Sequence, residues 1–369
     1  MVFNDLKHVL DHFCYRGTYV DVEELQSGNI NATYRLSYTD NGKPISYVLQ
    51  KINTVAFHDP VGLMHNIESV IGHISASMEK KGVDSERHLL RFIPTDTGSL
   101  LYCDKNNAYW RSYVFIDNAT AYDRIEDPRH FYEAGRGFGE FQKYLIDFPA
   151  DSLTETIPGF HNTKKRFFDF VNAVSADRAG RAAGLEEEID FFFDRRKMMN
   201  RIVDLIGAGR LPLRVTHNDT KLNNVLLDND TGKALCVIDL DTVMPGSALY
   251  DYGDAIRYGA NRAAEDEPEL SRIGLDMELF KAFTDGFVSE TAGTLTEEEL
   301  QFLPLGVEVL TCELAMRFLT DYLNGDEYFK IKYPDHNLVR ARAQMQLLRD
   351  IEEKYDDMCR YIQTLIPAL

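Results

Sequence analysis

His217-Asn218-Asp219-Thr220-Lys221-Leu222-Asn223-Asn224, followed at a distance by Val237-Ile238-Asp239-Leu240-Asp241, is the stretch on which the reading of this chain turns. The first string has the form H-x-D-x-x-x-x-N. A carboxylate in its third position, Asp219, can sit beside a hydroxyl and take its proton as that oxygen forms a new bond. Further along the same loop, the amide oxygen of Asn224 can return to a cation that bridges phosphates. Lys221, just past the Asp, can meet the charge on a transferring phosphoryl group. The second string is an apolar strand ending in Asp239, which brings a second carboxylate to the same cation, and Asp241 can add to that metal shell. Either string alone is common. Here they occur in order, separated by Val225-Leu226-Leu227 and Leu235-Cys236-Val237-Ile238, two short apolar runs that read as a hairpin. That combination points to phosphoryl transfer from ATP with Mg²⁺, with Asp219 as base and His217 as a brace.

The spacing is that of the protein-kinase catalytic loop, with Asp239 in the place of its second metal-binding Asp. The residues N-terminal to it suit such a site. Residues 19–26, 32–38 and 45–52 read as strands, and Asn41-Gly42 between the last two is a hairpin turn signal. Residues 61–80 have helical spacing, and 99–103 and 108–116 read as two more strands. A helix set within an antiparallel sheet makes a small α+β domain. Its Ser27-Gly28-Asn29-Ile30-Asn31 turn is placed to cover phosphates, with Gly28 as its single glycine. The third strand should bring a cation to the nucleotide, and it offers Gln50 or Lys51, which point to opposite faces. Phe115, Ile116 and Asp117 end the last strand and form the expected hinge whose backbone reads adenine. Beyond Pro128 the pattern turns helical, with Phe131, Ala134, Phe138, Phe141 and Leu145 on one face. Further helices fit 186–205, 277–290, 297–323 and 338–365. The expected architecture is α+β and bilobal, with an antiparallel-sheet nucleotide-binding lobe over 1–117 and a mainly helical catalytic and substrate lobe over 118–369.

Composition narrows the alternatives. The net charge is −19 with no cluster of Lys and Arg, which argues against a nucleic-acid surface. No apolar run reaches membrane-spanning length and the start is polar, so a cytoplasmic protein without a membrane partner is expected. The 5 cysteines are scattered and include no C-x-x-C pair, which argues against a disulfide framework or a cysteine metal site. His8 and His12 lie one helical turn apart without a third ligand, and a solvated helix face accounts for them.

The chain resembles the aminoglycoside phosphotransferase and choline kinase superfamily at His217 to Asn224 and at Asp239. Within it, the strings 214–224, 238–246 and 332–340 are similar to those of N-acetylhexosamine 1-kinases, as are 28–34 and 315–319. The resemblance implies a bilobal, protein-kinase-like fold and phosphorylation of GlcNAc or GalNAc at the anomeric oxygen. It implies Asp219 as base, Asn224 and Asp239 on Mg²⁺, and a sugar lying against Tyr258 with polar contacts from Arg317 and Asn29. The expected ligands are the sugar and the nucleotide, and a monomer or homodimer is expected. The same chemistry on an aminoglycoside, choline, homoserine or methylthioribose is the competing reading. A silent kinase-like binding module is a further one, against which the intact Asp219, Asn224 and Asp239 set argues.

Overall fold

A computed structural model describes residues 2–25, 30–125 and 127–366. The Gly28 and Asn29 of the expected phosphate-covering turn lie outside the described residues. A short helix, α1 (Val2–Leu10), precedes β1 (Thr18–Leu25), β2 (Ala32–Asp40) and β3 (Lys43–Lys51). After α2 (Pro60–Lys80) come β4 (Tyr102–Cys103) and β5 (Tyr109–Val114). These strands form one antiparallel sheet in the order β1-β2-β3-β5-β4. Asn41 and Gly42, at φ 50° and 78°, make the tight turn between β2 and β3. Positive φ at both central positions matches the strand twist, which is why Asn-Gly suits this hairpin. α2 starts where Asp59 accepts the Gly62 N–H, with Pro60 in the first turn, where its missing N–H costs nothing. One face of the sheet packs Leu36, Tyr38, Tyr47, Leu49 and Trp110 onto Leu6, Val9 and Leu10 of α1.

Past β5 the chain leaves this sheet. β6 (Ala119–Thr120) pairs instead with β8 (Val225–Asp228), which pairs with β9 (Ala234–Val237), and β7 (Arg214–Thr216) pairs with β10 (Met244–Gly246). Around these small sheets stand α3 (Pro128–Tyr144), α4 (Thr163–Ala176), α5 (Glu186–Met199), α6 (Arg201–Gly207), α7 (Ala248–Gly259), α8 (Met277–Thr291), α9 (Glu297–Gln301), α10 (Leu303–Asn324) and α11 (His336–Leu365). α3 and α8 cross at backbone contact. A Cβ at Gly135 would collide with the Phe283 carbonyl, and one at Gly286 with the Tyr132 carbonyl. A second core joins the two regions: Leu63, Ile67, Val70 and Ile74 of α2 pack with Phe141, Val215, Cys236, Leu240 and Val243. It places α2 directly against the Asp239 turn.

Several expected elements differ in detail. The strand at 99–103 shrinks to Tyr102–Cys103. The helix expected over 186–205 is α5 and α6, separated at Asn200, where the Thr163 hydroxyl donates to the Met199 carbonyl. The helix expected over 297–323 breaks at Phe302 into α9 and α10, because Pro304 has no N–H to continue it. Among the described residues no helix is long and apolar enough to cross a membrane.

Candidate active site

β7 delivers the chain to His217, and Asn218 then takes a left-handed backbone at φ 64°. Asn tolerates that conformation better than most residues because its short side chain bonds locally. Asn218 Nδ2 donates to Thr242 O at 2.8 Å, and Thr242 Oγ1 donates to His217 O at 2.6 Å, stitching the two acidic loops together. The buried His217 ring spans the same gap. Its Nε2 bonds Ile238 O at 2.9 Å, and its Nδ1 accepts the Asp219 N–H at 3.3 Å, a pattern that places the proton on Nε2. Beneath the loop lies Asp251 of α7. It accepts the His217 N–H at 2.9 Å, the Asn218 N–H at 2.8 Å and Gln142 Nε2 at 2.8 Å. Burial raises the Asp251 pKa, while His217 and these donors limit the rise.

Asp219 is half-buried. Its Oδ1 sits 2.6 Å from Lys221 Nζ. Asn224 Nδ2 donates to Asp219 O at 2.8 Å and to Oδ2 at 3.0 Å, which commits the amide NH₂ and leaves its oxygen as the available ligand. Burial works against a charged Lys221, but Asp219 and then Asp254 outweigh it, and its pKa lies above the ordinary value. Asp254 also accepts the Thr220 N–H, and its partners are Arg257 and, through the field, Lys221. Asp239 has a left-handed backbone at φ 59° and ψ 57°, a conformation that L residues adopt at a cost. Its carboxylate is open to the cleft, yet crowded by protein. Desolvation, then Asp241 and Asp219, push its pKa up to about 6. Asp219 and Asp239 therefore share one field, as a common site requires.

The residues fit a magnesium ion. Asp239 is a carboxylate held against the charges of Asp241 and Asp219, the amide oxygen of Asn224 is left over on the neighbouring loop, and a divalent cation would relieve that repulsion. Among the described residues no three His, Cys, Asp or Glu side chains converge to chelate an ion by themselves. Mg²⁺ does not demand such a cage, since it keeps waters and shares its shell with substrate phosphates.

The profile of the phosphotransferase enzyme family matches residues 21–274. The chain belongs to that family. Solved structures show the same fold at low identity. A microcompartment-associated aminopropanol kinase aligns at a TM-score of 0.64 and 17% identity, covering 96% of this chain and 98% of that one. An aminoglycoside phosphotransferase from Alicyclobacillus acidocaldarius aligns at 0.58 and 14%, covering 94% and 93%. A choline kinase from Cryptosporidium parvum aligns at 0.56 and 12%, covering 93% and 92%. This phosphotransferase thus has the kinase-like fold, an antiparallel-sheet N-terminal region followed by a helical one.

In the phosphotransferase, Gln50 and Lys51 part company. Gln50 Oε1 accepts from Arg111 Nε at 2.9 Å and Nη2 at 2.7 Å, while Lys51 is exposed and stands over the Trp110 ring on the other face. The cation on the cleft side of the sheet is therefore Arg111, from β5. It pairs with Asp241 at 2.5 Å, both side chains being 3% exposed, and Asn31 Nδ2 donates to the other Asp241 oxygen at 2.7 Å. Sequence reasoning missed Arg111, although a charged residue inside the inner strand of a sheet was a usable signal. At the expected hinge, the Phe115 N–H donates to Ser46 O, and the Asp117 carbonyl accepts from Arg87. His8 faces Asp104 and His12 bonds Asp96, so each histidine pairs with its own carboxylate.

Tyr258 stands near the C-terminal end of α7, 37% exposed, on the helix that also carries Asp251 and Asp254. Arg317 is ringed by Phe160, Tyr328 and Phe329 and lies 3.9 Å from Glu313, which His161 bonds at 3.2 Å. Arg257 and then Lys221 hold Asp254 below the usual carboxylate range against its burial, with a smaller contribution from His161. Arg317, Arg166, Asn172 and Tyr328 line a cleft of about 390 Å³ between α4 and α10. Arg166 donates to Phe160 O, and its pKa is lowered by burial and then by Arg317.

Proposed function

We propose that this phosphotransferase transfers the γ-phosphoryl group of ATP to the anomeric C1 hydroxyl of an N-acetylhexosamine, giving a hexosamine 1-phosphate. The observation that carries the reading is that Asp219 and Asp239 lie on two loops cross-stitched by His217, Asn218 and Thr242, with the charge of Asp219 felt at Asp239. Asp219 accepts the proton of the attacking hydroxyl at a carboxylate oxygen. Lys221, now on Asp219, is within reach of the oxygens that gain charge as the phosphoryl group moves. Asn224 and Asp239 would hold Mg²⁺, which supplies charge neutralisation on the phosphates when bound. Adenine reading falls to the backbone around Ile116 and the Asp117 N–H, since neighbouring groups at Phe115 and Asp117 are already bonded. The lobes divide near Asp117, where the chain leaves the first sheet.

For the acceptor, Tyr258 and Arg317 supply the two kinds of contact a sugar needs: an aromatic face and a donor for ring oxygens. Solved structures of similar fold include kinases of aminopropanol and choline, so an amine-bearing alcohol is the second reading. The cleft beside Arg317 speaks against it. Three arginines, Arg166, Arg178 and Arg317, line that cleft against two carboxylates, Asp169 and Asp321, and the balance disfavours a cation. Incubation with ATP, Mg²⁺ and a panel of N-acetylhexosamines, choline and aminoalcohols, read by phosphorus NMR, tests the proposal. An anomeric phosphate signal is expected. Clear preference for an amine would replace the sugar reading.

A further inference from the structure

The ion pair between Arg111 and Asp241 has no part in the chemistry above, which uses Asp219, Lys221, Asn224 and Asp239. It is nonetheless the most enclosed charge pair near the site. Arg111 comes from β5 of the N-terminal sheet, and Asp241 from the turn that follows Asp239. Every arm of the guanidinium is engaged: Nε and Nη2 on Gln50 Oε1, and Nη1 on Asp241 Oδ1 with Met64 Sδ at 3.9 Å. An arginine so paired, with its side chain 3% exposed, is turned away from the phosphates. Asp241 is equally committed. Its second oxygen accepts Asn31 Nδ2, while Asn31 Oδ1 takes the Asn53 N–H at 2.9 Å. A carboxylate in the helical lobe thus meets the sheet lobe at both oxygens, by an ion pair to a strand at Oδ1 and a hydrogen bond from the β1–β2 connection at Oδ2. From the other side, Asn66 Nδ2 of α2 donates to Val243 O at 2.9 Å, and Asn218 Nδ2 holds Thr242 O.

We propose that Asp241 is the anchor on which the N-terminal lobe closes, not a member of the metal shell, and that Arg111 is a positioning residue that aims Asp239 through it. The left-handed Asp239 needs a firm grip on each flank. His217 holds the Ile238 carbonyl before it, and Arg111 with Asn31 holds Asp241 after it. The arrangement keeps a cation between sheet and metal turn while delivering it from β5 instead of β3. Only the kinetic part of the test rests on the phosphoryl-transfer reading.

The first measurement is thermal unfolding of R111M, R111K, D241N and the double variant R111M/D241L, without Mg²⁺ or nucleotide. Removing one partner of a buried pair strands the other, so R111M and D241N should each lose roughly 5–10 °C in Tm, with R111K between and the double variant largely restored. A carboxylate that merely crowds Asp239 would instead give a higher Tm when neutralised in D241N. The second measurement is Mg²⁺ dependence, read as turnover at saturating ATP and as calorimetric affinity for Mg²⁺ with ADP. R111M should raise the half-saturating Mg²⁺ about tenfold or more, and R111K should restore most of it. The proposal is overturned if D241N stabilises the metal-free protein. It is also overturned if R111M loses Tm while its Mg²⁺ dependence, kcat and ATP KM match wild type. Absence of phosphoryl transfer by the wild-type chain to any acceptor would refute the kinase reading alone, since unfolding and calorimetry still judge the clamp.

Discussion

Replacing Asp251 with Asn should cost this phosphotransferase both stability and turnover, although Asp251 lies behind the reacting groups. Its two oxygens accept three buried donors, the backbone N–H groups of His217 and Asn218 and the side chain of Gln142. Asn has the same shape but one acceptor fewer. Its best placement keeps the oxygen on the His217 and Gln142 donors and turns NH₂ toward the Asn218 N–H. That leaves one buried N–H unpaired at about 1–3 kcal/mol, and the two retained bonds lose charge assistance at about 1 kcal/mol each; losing the desolvated charge offsets part of this, for a net loss of roughly 2–4 kcal/mol. The loop that loosens carries Asp219, so kcat should fall about 100-fold, the loss expected when a reacting group is misplaced by an ångström. Urea unfolding gives the first quantity and steady-state ADP release the second. A variant within about 1 kcal/mol of wild type and with normal kcat would show that Asp251 does not hold the loop.

Three further outcomes are expected. Asp219→Asn should keep the fold and ATP binding by calorimetry while kcat drops by about 10²–10⁴, the usual contribution of a general base. Arg317→Met should raise the KM for the acceptor sugar about tenfold or more at unchanged ATP KM, since it removes a charged donor from the proposed sugar contact. Glu308, whose pKa burial and then Glu352 raise from 4.5 to about 7, makes stability fall as pH rises from 4.5 to 7, because the folded chain holds that proton longer than the unfolded one. Glu308→Gln should remove that fall, gaining at most about 3 kcal/mol over wild type at pH 8 and nothing of this kind below pH 4.5, read by chemical unfolding across pH.

Local signals carried much of the fold. The Asn41-Gly42 turn, the α3 stripe and the hairpin between the acidic strings each depend on residues close in sequence, and each stands where the pattern put it. α4 goes unread in the sequence, although Asn162 caps its start and Phe167, Phe170 and Ala173 face one way. The α9–α10 break was legible in Pro304. The α5–α6 break was not, since the Thr163 hydroxyl that takes the Met199 carbonyl comes from another helix.

Asp219, Asn224 and Asp239, the residues proposed to carry the chemistry, could be singled out from spacing alone, because the loop and the neighbouring strand end that bear them lie close in sequence. What surrounds them was settled only by the fold. The choice between Gln50 and Lys51, the Arg111 that pairs with Asp241, and the Asp251 that holds the loop all join residues remote in sequence, and their meeting depends on how the sheet, α2 and α7 pack. A buried charge finds its partner through tertiary packing, and no periodicity along the chain records that partner.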